Sequence, residues 1–96
     1  TGYDDNAKNP DYLNFVAKYS AKYGEKPSIF SAQAYETVRI ILEVLALDSN
    51  IQNLKSTILN KKVFNGLQGK IIFNEYGDVD RDYFLMEIKN NSFQRL

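Results

Sequence analysis

The chain contains no histidine and no cysteine. These two absences remove Cys/His zinc sites, thiol nucleophiles, disulfides and any Ser–His or Cys–His catalytic pair. Net charge is missing as well, because 12 Lys and Arg balance 12 Asp and Glu over 96 residues. With a sequence pI of about 6.1 there is no electrostatic footprint for nucleic acid or an anionic membrane. No apolar run approaches the roughly 18 residues that span a bilayer. Glu43 interrupts the longest one, residues 40–47. The chain begins at Thr1 with no charged-then-apolar leader, and a processed or excised piece is expected. The lack of cysteine is compatible with either redox compartment.

What is present is ordinary for a folded chain: 44% hydrophobic residues and 14% aromatic, from seven Tyr and six Phe. Such content offsets the ordering entropy and argues against disorder. Thr1 to Asn9 is polar and reads as a connector. Asn9-Pro10 is a helix entry, and Tyr12, Phe15, Val16, Tyr19 and Tyr23 recur at the helical period until Gly24 stops them. Pro27 to Phe30 is expected to be extended, with Ser31 capping a second helix over residues 32–47. That helix is apolar over most of its circumference. Only Glu36, Arg39 and Glu43 break the pattern, and their spacing predicts one salt-linked strip. Such a helix needs cover on several sides, which 96 residues hardly supply. Self-association over Ile41, Val44 and Leu45 is therefore expected for the chain in isolation.

A third helix is predicted over about residues 51–60, then a bending loop over residues 63–69 with glycines at 66 and 69. Two strands follow, residues 70–74 and 83–89, joined through turn chemistry at Glu75-Tyr76-Gly77-Asp78. Asn90-Asn91 turns the chain toward Phe93.

Few residues suggest chemistry. Asp78-Val79-Asp80-Arg81-Asp82 imitates the start of a calcium loop, but Tyr83 and Lys89 stand where Gly and Glu are required, and Arg81 adds positive charge. A solvated turn explains it, so no metal is expected. Asp4-Asp5 and Glu36 with Glu43 are carboxylate pairs accounted for by an exposed loop and a surface strip. Gly66 and Gly69 lack the Lys-Ser/Thr helix start of a phosphate loop. Phe30 fits no stripe. It is read either as a hydrophobic staple on the second helix or as an apolar wall beside that helix's exposed start, with Ser31 and Gln33 nearby.

Three blocks occur in a recognisable order: Lys22-Tyr23-Gly24-Glu25-Lys26-Pro27, Ala34-Tyr35-Glu36-Thr37, and the run from Phe64 to Asn74 followed by Tyr76-Gly77-Asp78. Together they resemble the carboxy-terminal part of type I periplasmic solute-binding proteins, the branched-chain amino acid receptors of ABC importers. The family usually has Asp where Glu36 stands, Asp at Asn74 and often Gly at Asn91.

The resemblance implies an α/β fold, with two lobes closing over a ligand about a hinge. Residues 1–96 would form the C-terminal part of one lobe, and the segment by itself would be α+β, three helices followed by a β-hairpin. The implied role is capture of a small ligand, an amino acid or a related compound, for a membrane permease, outside the cytoplasm, without enzymatic activity or cofactor. Two alternatives share this reading: a ligand-sensing ectodomain of the same fold, and a stand-alone interaction module. In the family an aromatic five residues before the motif tyrosine lines the ligand's apolar side chain, which points to Phe30, five before Tyr35. Ser31 and Gln33 are secondary ligand-binding candidates by the same resemblance.

Overall fold

The structure, a computed structural model, describes residues 2–96. Three helices, α1 (Pro10–Tyr23), α2 (Ile29–Leu47) and α3 (Leu54–Lys61), precede five strands. The strands are β1 (Val63–Gly66), β2 (Gly69–Phe73), β3 (Val79–Arg81), β4 (Met86–Lys89) and β5 (Ser92–Arg95). β1-β2-β3 form one antiparallel sheet and β4-β5 a separate two-stranded one.

The local signals at α1 act as expected. Pro10 occupies the first turn, and Gly24 ends the helix at φ 74°, its N–H donating to the Ser20 carbonyl. Asn9, however, makes no side-chain cap bond. At α2 the boundary differs from expectation. The helix begins at Ile29 because Ser28, in extended conformation, caps it by accepting the Ser31 N–H at 3.3 Å. Phe30 and Ser31 are thus already helical, rather than extended and capping. Asp48 ends α2, and Asn50 and Asn53 hold its carboxylate below the usual range by hydrogen bonding from the Asn50 N–H and then the Asn53 amide. A 3-10 turn, Ile51–Asn53, leads into α3.

The stretch read as a bending loop is a hairpin. Gly66 pairs with Gly69 across a two-residue turn, and Val63, Phe64 and Asn65 pair with Ile72, Ile71 and Lys70. The aspartate run read as a solvated turn contains β3, paired to β2 from Ile71↔Arg81 to Phe73↔Val79. The last predicted strand is shorter and starts at Met86, with a separate hairpin turning at Asn90 and Asn91, both at positive φ. Asn tolerates that conformation better than most side chains.

Two small cores hold the segment. Ala7, Tyr12, Phe15, Ala32 and Leu67 make one, so the tip of the β1-β2 hairpin is inserted at the α1–α2 junction. Val44, Phe64 and Ile71 make the other, where α2 and α3 lie against the sheet. Val44 is fully buried there, which removes it from any self-association face. The exposed face of α2 lies instead along Tyr35, Val38 and Leu42, which are 42%, 55% and 61% exposed. The radius of gyration is 15.2 Å, with principal extents of 48 × 30 × 19 Å. A compact chain of this length would have about 12.5 Å. The segment is elongated, and the need of α2 for further cover is not met within it.

Candidate functional site

The start of α2 carries all three residues singled out from the sequence: Phe30 and Gln33, three apart, lie about 60° from each other round the helix, whereas Ser31 and Gln33 lie on opposite sides. Phe30 is 79% exposed and points away from both cores. Ser31 lies 100° round the helix from it. There its hydroxyl donates to the Tyr19 hydroxyl at 3.2 Å, tying α2 to α1. Gln33 lies on the other side, over a groove of about 440 Å³ between α2 and the three-stranded sheet, shared with Ile29, Glu36, Ile71 and Arg81. Ile29 also borders a second cleft of about 450 Å³, with Tyr3, Asp5, Met86 and Phe93. Clefts thus flank the first turn of α2 on two sides.

What ties α2 to the sheet, two turns further on, is a buried carboxylate. Glu36 was expected on a surface strip with Arg39 and Glu43, yet it is only 6% exposed. Its Oε2 accepts the Leu67 N–H at 2.8 Å, and Arg81 donates to both carboxylate oxygens at 3.1 and 3.0 Å. One side chain therefore satisfies the amide of a buried hairpin turn and grips β3 through a bidentate pair. The approach is close enough to exclude a side chain at residue 66: a Cβ there would lie 2.7 Å from Glu36 Oε2 and 2.8 Å from the Gly69 carbonyl oxygen. The other members of the supposed strip go elsewhere. Arg39 lies over the Tyr35 ring, and Glu43 pairs with Lys61 at 3.2 Å. Sequence did hold a signal for Glu36. Ala32, Glu36, Ile40 and Val44 form one i,i+4 row, and an acid within an otherwise apolar row needs an internal partner.

A second long-range tie was also missed. The Gln68 side-chain amide accepts from the Asp4 N–H at 2.9 Å and donates to the Asp4 carbonyl at 2.8 Å, pairing with the backbone as a strand would. The polar connector is consequently anchored: Asp4 is buried, and its Oδ1 accepts the Asn6 N–H. Beside it the Tyr3 and Tyr12 hydroxyls meet at 2.8 Å. Burial raises both phenols above their ordinary range, and for Tyr3 the hydrogen bond to Tyr12 adds to it. Among the described residues no cluster of three acidic side chains converges as a metal site would require. The arrangement presents an apolar ring and an amide beside two clefts, the kind of concave, largely apolar surface on which small-molecule sites are built.

Comparison with known proteins agrees with that character. The periplasmic binding protein family matches residues 1–92. Among solved structures, an ABC transporter substrate-binding protein from Desulfitobacterium hafniense, in complex with Leu, superposes with a TM-score of 0.88 at 21% identity. It covers 100% of this chain and 30% of its own. A leucine binding protein from Thermotoga maritima superposes at 0.79 with 27% identity, over 100% of this chain and 28% of that one. The chain thus spans less than a third of the length of these relatives. No curated protein matches it. With three blocks in family order, a fold that superposes along its whole length and a family match over nearly all of it, the chain belongs to the periplasmic binding protein family, a family of binding proteins and not of enzymes.

Proposed function

We propose that this chain is the C-terminal part of one lobe of an extracytoplasmic solute-binding receptor that captures an amino acid or related compound for the membrane permease of an ABC importer. The observation that carries this reading is Phe30: a large aromatic ring, 79% exposed, at the start of a helix that Glu36 and Arg81 tie to the sheet. The backbone that carries the ring is already helical, so contact with a ligand needs little further backbone ordering. The likeness to a substrate-binding protein solved with Leu supports an apolar ligand side chain as its partner. Gln33, exposed on the sheet side, is a secondary polar contact. Ser31 is a poorer one, since its hydroxyl already donates to Tyr19. Groups for the ligand's ammonium and carboxylate would come from other parts of the receptor.

The test is calorimetry of the full-length protein with an amino-acid panel. Phe30→Ala is expected to weaken binding of leucine-like ligands by roughly 1–2 kcal/mol, the value of the apolar contact, and to leave glycine unaffected. Equal affinity for apolar ligands before and after the substitution would remove Phe30 from the site.

A further inference from the structure

The tip of the β1-β2 hairpin, Leu67-Gln68, touches two distant parts of the chain at once. The Leu67 N–H is held by the Glu36 carboxylate across 31 positions, and the Leu67 side chain shares a core with Ala32. Main chain and side chain alike thus fix that residue to α2. The next residue, Gln68, has both ends of its side-chain amide on the Asp4 backbone, 64 positions away. The tip has no room to shift between these attachments. A Cβ at residue 66 would meet Glu36, and one at residue 69 would lie 2.7 Å from Asp82 Oδ2, just past β3. Leu67, Gln68, Glu36 and Asp4 are all buried, so chain packed on the outside of the segment leaves their contacts intact.

The connector makes the link consequential. Residues 2–9 form no helix or strand, so their backbone groups depend on other partners. Asp4 is the centre of a small turn: the Asn6 N–H donates to its Oδ1 at 3.0 Å and the Ala7 N–H to its carbonyl at 3.2 Å. Gln68 therefore holds the residue on which that turn is built. Connector and α2 are also facing walls of one cleft, with Tyr3 and Asp5 on the first and Ile29, beside Phe30, on the second.

We propose that the hairpin tip is a mechanical link that makes α2 and the connector open and close as one cooperative unit. Glu36 is the positioning residue at the α2 end and Gln68 the one at the connector end. Whatever orders one wall of the cleft then orders the other, because the tip carries the free energy between them. The link rests on buried contacts within this chain and stands independently of the ligand reading.

Amide hydrogen exchange of the full-length protein, read at Asn6 and Ala7, tests it. These two amides are bonded to Asp4 and not to Gln68, so they report the turn rather than the bond that is removed. Gln68→Ala is expected to raise their exchange at least about fivefold, the worth of roughly one hydrogen bond. Glu36→Ala, on the far side of the tip, is expected to raise it by a similar factor in the wild-type background. Once Gln68 is alanine, the same substitution should add less than about twofold. A general loss of stability would instead raise exchange equally in both backgrounds. Far-UV circular dichroism verifies folding. Should Glu36→Ala not fold, Glu36→Gln, which loses the charged fork but keeps an acceptor, is read in the same way. Wild-type exchange at Asn6 and Ala7 in Gln68→Ala overturns the proposal. So does a Glu36 substitution that acts equally in both backgrounds, or one that leaves the connector amides unchanged.

Discussion

Replacing Glu36 by alanine tests the bracing of the site directly. The substitution removes the acceptor for the Leu67 N–H at 2.8 Å and both partners of the Arg81 fork. The orphaned amide sits in a buried turn, where an unsatisfied donor costs about 1–3 kcal/mol. Breaking a buried ion pair costs about 3–5 kcal/mol when the remaining charge stays dry. Arg81 is 20% exposed and regains some water, so the lower end of each range applies and the whole change is about 4 kcal/mol. For a chain of this length, total stability is about 5–14 kcal/mol. The loss corresponds to a fall of roughly 16–32 °C in Tm. Urea unfolding followed by circular dichroism measures it, and a double-mutant cycle with Arg81→Met isolates the pair. Removing Arg81 alone strands a 6%-exposed carboxylate, so the double variant Glu36→Ala, Arg81→Met should lose much less than the sum of the two single changes. An alanine variant within 0.5 kcal/mol of the wild type, about the scatter of surface changes, or a strictly additive cycle would refute the reasoning.

Two further outcomes follow from local geometry. Gly66→Ala should destabilise by about 2–3 kcal/mol because its Cβ meets a backbone carbonyl at 2.8 Å, and the close-packed hairpin has no easy way to yield. Gly77→Ala should lose only about 1–2 kcal/mol, from its positive φ alone, since nothing lies within 4 Å; the reverse order in chemical denaturation would contradict both accounts. The phenols of half-buried Tyr3 and buried Tyr12 are raised, so their neutral forms favour the fold. That contribution is fully present below their ordinary value near pH 10 and is lost as pH rises through the folded-state values. Tyrosinate absorbance should show late titration that Tyr12→Phe advances for Tyr3, and a single unshifted tyrosine class would exclude it.

The helices were legible because their information is local. The stripe from Tyr12 to Tyr23, the stop at Gly24 and the turn at Asn90-Asn91 each need only neighbours in sequence. The start of α2 was misplaced by three residues because both Ser28 and Ser31 are good caps, and a composition rule does not choose between them. The hairpin at residues 63–73 was half seen. Its two glycines looked like loop material, whereas they serve a tight turn whose tip is buried under α1 and α2. Of the candidate site, the position of Phe30 at the helix mouth was readable, but not the separation of Ser31 and Gln33 onto opposite sides, which depends on where the helix begins.

By itself the sequence determined the helices, the turns, the exclusion of Cys and His chemistry, and a family pattern carried by blocks of adjacent residues. Only the tertiary structure decided which residues meet. Glu36 and Arg81 are 45 positions apart, Asp4 and Gln68 are 64. Periodicity marks a face as apolar or a side chain as charged, yet leaves the partner open. That is why Glu36 reads as a surface acid and proves to be a buried clamp, and why Val44 reads as free and proves to be core. A hydrogen bond or a buried contact is a property of two segments, and it exists only once the chain has brought them together.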